Sequence, residues 1–180
     1  MRLGVDERGV TELMAVVEHI RGLNRVAFGL LLEDDEERGS GGNGGEPLIP
    51  FPENDELDDR TREILEQIGE HEGRRIGRPG VPKVWRALAR NFHYLEATWG
   101  KHEMVFAGGG IEPAAKLAVG LGVSVAIGCR YFIRYFRDAL TNAGWDPGGI
   151  LEVIGVVDHY NSFNTIASGM QIESDIRPEQ

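Results

Sequence analysis

Cysteine is nearly absent from this chain of 180 residues: Cys129 is the only one. A single thiol excludes an internal disulfide and a structural zinc site built on cysteines. Long apolar runs are missing as well. The longest weakly polar stretch, 117–129, is too short to span a bilayer. "MRLGVDERGV" puts charges where a signal peptide would have its apolar segment. The expectation is a cytoplasmic protein with no membrane partner. Basic residues are the third shortage, with 19 Lys and Arg against 29 Asp and Glu and a formal net charge of −10. The cationic footprint that nucleic acid requires is not there. The acidity is local. Residues 33–72 hold 15 of the acids and 3 of the basic residues, so the remainder is nearly neutral. That segment reads as a solvated surface stretch, or as a docking segment for a basic protein partner.

What is present is a soluble composition, 41% hydrophobic and 27% charged, long enough for one domain with a real core. Residues 1–33 form an N-terminal helical segment, with Leu13, Val16, Val17, Ile20 and Leu23 at helical spacing. Residues 34–57 are an acidic loop rich in Gly and Pro, in which "PLIPFP" is an extended anchor on the body. Residues 58–180 make the main domain. Helices are expected over 58–73 and, as one helical unit, over 77–106. Further helices are expected over 130–145 and 146–170, the last with Asp146 as N-cap and Pro147 behind it. The stretch 111–129 is ambiguous. Leu117, Val119, Leu121, Val123, Val125 and Ile127 alternate as in a strand, yet the chain offers no strand to pair with it.

Several side chains are candidates for chemistry. If "GCRYFIRYF" (128–136) is helical, Cys129, Phe132 and Phe136 share one face. Phe132 and Phe136, flanked by Tyr131 and Tyr135, read as core or subunit interface, or as the wall of an apolar pocket. Arg130, Arg134 and Arg137 form a stripe that is either a solvated face or a carboxylate- or phosphate-binding surface. His102-Glu103 and Asp158-His159 are adjacent pairs whose members point apart on a helix. His102, Glu103 and His159 make an acid–base site only if the fold brings them together. "AGGGIEP" and "SGGNGG" lack phosphate-loop spacing and read as turns. No metal and no cofactor is expected.

Three pieces in order, "VPKVWRALARNFHYLEATW", "IEPAAKLAVGLGVSVAIGCRYF" and "GWDPGGILEVIGVVDHYNSFNTIASG", resemble the alkylhydroperoxidase AhpD-like / carboxymuconolactone decarboxylase family, in its peroxidase-related branch. The match runs over about residues 77–172. It implies an all-α, oligomeric domain and hence a helix over 113–128. Redox members of that family carry a Glu followed by C-x-x-C-x-x-x-H. Carried over, the first cysteine is Cys129, while the second cysteine, the histidine and the glutamate fall on Phe132, Phe136 and Leu117. A dithiol cycle needs a resolving thiol, and none is present. The resemblance therefore implies a homo-oligomer that has lost the redox relay. Its role would be non-redox binding or an accessory, structural part, with Leu117, Phe132 and Phe136 walling an apolar pocket. The alternatives are a one-cysteine hydroperoxidase using Cys129 with an external thiol, and a cysteine-independent lyase or isomerase with a His/Glu site.

Overall fold

A computed structural model describes residues 5–32 and 47–173. Those residues form seven α-helices and no strand. They are α1 (Glu7–Gly29), α2 (Asp59–Ile76), α3 (Lys83–Leu88), α4 (Phe92–Phe106), α5 (Pro113–Ile127), α6 (Arg130–Asn142) and α7 (Pro147–Gly169). A short 3-10 turn at Asn54–Glu56 precedes α2.

Local chemistry sets most boundaries. The side chains of Asp6, Asp58, Asn91 and Asp146 accept the backbone N–H groups of Gly9, Thr61, Tyr94 and Gly149, each capping a helix start. Gly77 and Gly128 end α2 and α5 in the left-handed conformation, at φ 72° and 78°. The single unit expected over 77–106 is two helices. Asn91 interrupts it, because its side chain and backbone start α4 afresh.

The alternating stretch 113–127 is α5, a helix and not a strand. It is the hub of the fold, packed against α1, α6 and α7. Its small residues permit that: a Cβ built on Gly120 would lie 2.5 Å from the Phe136 ring, and one on Gly122 would lie 3.3 Å from Val157. The other side of the core is aromatic, with Trp85, Trp99, Phe106, Phe132 and Phe136 buried among Ile20, Ile68, Leu95 and Leu140.

The described part of the loop is anchored as expected. Arg90 donates to the carbonyls of Pro50 and Phe51, and Arg86 sits 4.9 Å above the Phe51 ring. Residues 33–46, with "SGGNGG" and the acidic run 33–37, lie outside the described residues. "AGGGIEP" is a turn: Glu12 accepts the N–H groups of Gly110 and Ile111 at 2.9 and 3.2 Å. No described helix is long and apolar enough to cross a membrane.

Candidate functional site

The centre of the molecule holds a buried polar network that four helices build. Glu72 and Arg75 come from α2, one turn apart; His102 comes from α4, Tyr135 from α6 and His19 from α1. Glu72 is fully buried and His102 is 1% exposed. Charge in such a place costs several kcal/mol per ion unless partners saturate it, and here they do. Arg75 Nη1 donates to Glu72 Oε1 at 2.6 Å, Tyr135 donates its hydroxyl proton to Glu72 Oε2, and His71 Nδ1 lies 3.3 Å from Glu72 Oε1. Arg75 also donates to Nε2 of His102. On its other side, Nδ1 of His102 meets Nε2 of His19 at 3.1 Å.

The donor arithmetic assigns the tautomers. Arg75 has no acceptor, so Nε2 of a neutral His102 accepts from it and the ring proton is on Nδ1. That proton is donated to Nε2 of His19, whose own proton is then on Nδ1. The result is a directed chain from Arg75 through His102 to His19. Aromatic rings enclose it. His102 stacks on Trp99 at 5.5 Å, with Trp85 edge-on at 5.1 Å and Phe106 at 4.8 Å. The Arg75 guanidinium lies 4.6 Å over Phe106.

These surroundings move the proton affinities. Burial pushes His19 down to about 3, helped by His102 once that ring is protonated and by the charges of Lys101 and Arg75. Burial also lowers His102, against the pull of Glu72. Burial opposes ionisation of Glu72, but the His102 and His71 rings and Arg75 outweigh it and hold the carboxyl well below its usual range. Tyr135 is pushed up by burial and by Glu72. At neutral pH the centre is therefore a carboxylate–guanidinium pair joined to two neutral imidazoles and a phenol. A proton can pass along it from one imidazole to the other, and the Glu72 carboxylate offsets the charge of a ring that gains one. The centre reaches the surface where the side chains of Arg75 and His71 are 13% and 38% exposed.

Of the residues singled out in the sequence, only His102 belongs to this centre. Glu103 and His159 are exposed and do not converge with it; His159 lies on α7 against Phe163. Cys129 is not on a helix face with Phe132 and Phe136. It is the N-cap residue of α6, 2% exposed, with its sulfur 3.9 Å from the carbonyl of Asn24. Burial raises its pKa; the N–H groups of Phe132 and Tyr131 pull the other way and do not reverse it. Leu117, Phe132 and Phe136 are packed core, and neither described groove includes them. Lys116, the residue before Leu117, is buried and donates to the carbonyls of Val105 and Ala107 at the end of α4. Arg130 is exposed, Arg134 is half-buried, and Arg137 pairs with Asp138. Among the described residues no group of three or more His, Cys, Asp or Glu is arranged for a metal ion.

Glu72, Arg75 and His19 were not singled out in the sequence, and Tyr135 was read only as part of the aromatic cluster, although a signal existed. Glu72 lies four residues beyond Ile68 and seven beyond Leu65, in line with the apolar face of α2. His19 sits beside Val16, Ile20 and Leu23 on the buried face of α1. A titratable residue placed in an apolar stripe is where a buried site announces itself. Comparison of the chain with family models, curated proteins and solved structures finds no match.

Proposed function

We propose that the chain is a cysteine-independent acid–base catalyst, a lyase or isomerase of the kind that the resemblance to the carboxymuconolactone decarboxylase family implies. His102 moves the proton. Arg75 and Glu72 hold its ring and balance its charge, and His19 shares the proton through Nδ1. The substrate class is a small molecule whose C–H is acidified by a carbonyl or carboxylate, entering beside Arg75 and His71. One observation carries this reading: His102, in contact through both ring nitrogens, sits beside the Glu72 carboxyl in an aromatic enclosure. The buried thiol with raised pKa supports a route that does not use Cys129.

The test is proton exchange. A panel of small β-keto acids and unsaturated lactone carboxylates is incubated with the protein in D2O and followed by proton NMR. Exchange or turnover should appear and should fall about 10²-fold or more in His102→Gln, while Cys129→Ser keeps it. A silent panel, with His102→Gln changing only the melting temperature, contradicts the proposal. It would leave the second reading, a non-redox binding or structural oligomer. That reading is favoured by the fact that neither described groove opens onto the network.

A further inference from the structure

Helix α7 is built unlike the rest of the molecule. Its first half packs on α5 through Ile150, Val153 and Val157, which are half-buried. From Asp158 to Met170 every residue is exposed except the half-buried Ala167. The exposed part is apolar: Val156, Tyr160, Phe163 and Met170 recur at spacings of four, three and seven, a seam of the coiled-coil kind turned to solvent. Phe163 is 58% exposed and Met170 69%. A lone monomer rarely leaves so long an apolar face uncovered.

A matching surface lies on α1. Val10, Leu13, Met14 and Val17 line a groove along its outer side, with Arg21 and Arg25 at its C-terminal end and Glu18, which pairs with Lys101, between the two parts. By the helical rise, Val10 to Arg25 spans about 22 Å and Val156 to Met170 about 21 Å. The charges match as well. Within α7 there are two acids, Glu152 and Asp158, and no Lys or Arg. Glu152 is one turn before Val156 on the seam side. An antiparallel alignment sets Met170 beside Val10, Phe163 beside Val17 and Glu152 within reach of Arg25. The absence of Lys and Arg from α7 argues against an anionic membrane as the occupant. A two-fold arrangement uses the contact twice, because each copy offers both its α7 seam and its α1 groove.

We propose that α7 of one copy docks antiparallel in the outer groove of α1 of a second copy, reciprocally about a two-fold axis. The inference does not depend on the catalytic reading. Sedimentation velocity at micromolar concentrations tests it, with circular dichroism confirming that each variant is folded. The wild type should be a dimer. Arg25→Glu and Glu152→Arg should each raise the dissociation constant about tenfold or more, and the double variant should recover most of the loss. Phe163→Glu and Met14→Glu should both give monomers. A monomeric wild type overturns the proposal, as does a monomer that binds anionic vesicles. So does a dimer broken by Phe163→Glu but indifferent to Met14→Glu and Arg25→Glu, because α7 would then pair elsewhere.

Discussion

The centre of the molecule and α7 are inverted with respect to the usual rule. At the centre, a carboxylate, a guanidinium, two imidazoles and a phenol are packed among tryptophans and phenylalanines. On α7, valine, phenylalanine, tyrosine and methionine face solvent. Each arrangement is costly for an isolated chain, and each is relieved differently. The centre is relieved from within, by mutual hydrogen bonds that leave none of its side-chain atoms unpartnered among the described residues. The exposed seam of α7 has no such relief among the described residues. The contrast teaches that the polar groups of the centre are satisfied by one another, whereas the apolar seam of α7 is turned to solvent.

The comparison is most strongly tested by breaking the buried pair. Glu72→Leu leaves the Arg75 charge without its carboxylate and should cost about 3–5 kcal/mol in urea unfolding. A loss under about 1 kcal/mol would mean that the network is not closed in solution. A smaller effect separates the two packing regimes. Gly120→Ala drives a methyl group against Phe136 and should destabilise by about 1–3 kcal/mol. Gly155→Ala, on α7 with nothing nearby, should stabilise by about 0.5–1 kcal/mol through helix propensity. Equal effects at the two sites would erase the distinction.

A further effect is graded by pH. The folded pKa of His19, about 3, lies below its ordinary 6.5. Between these values the unfolded chain holds a proton that the folded one does not. Stability therefore falls as pH drops from 6.5, by about 1.4 kcal/mol per pH unit at most for this group. The depressed carboxyl of Glu72 acts in the same direction below 4.5, since its contribution exists above that pH and is lost on further acidification. Urea midpoints at pH 7 and pH 5 should differ in that sense, and His19→Gln should shrink the difference. A midpoint that rises on acidification contradicts the assignment.

The helical architecture was largely legible in the sequence because caps and spacing are local. Asp146 followed by Pro147 marked the start of α7, and Gly144 the end of the helix before it. The alternation in 113–127 misled by period alone. Its Gly, Ala and Ser positions serve close helix contacts that period does not encode. Cys129 was read as a helical position, but Gly128 ends α5 one residue earlier, so Cys129 is the N-cap residue of α6 and makes no side-chain cap bond. His102 was found and its partners were not. His19 and Tyr135 lie 83 and 33 residues away along the chain and meet it only through the packing of α1 and α6. Glu103 and His159 were chosen by adjacency, which on a helix points side chains apart.

The most direct test of the account is nitrogen-15 NMR of the histidine rings across pH. The wiring predicts His102 as a neutral ring protonated on Nδ1 at pH 7, and His19 neutral and also protonated on Nδ1, staying so well below pH 6. Either ring titrating near its ordinary value, or His102 protonated on Nε2 at neutral pH, would contradict the buried relay on which the proposed chemistry stands.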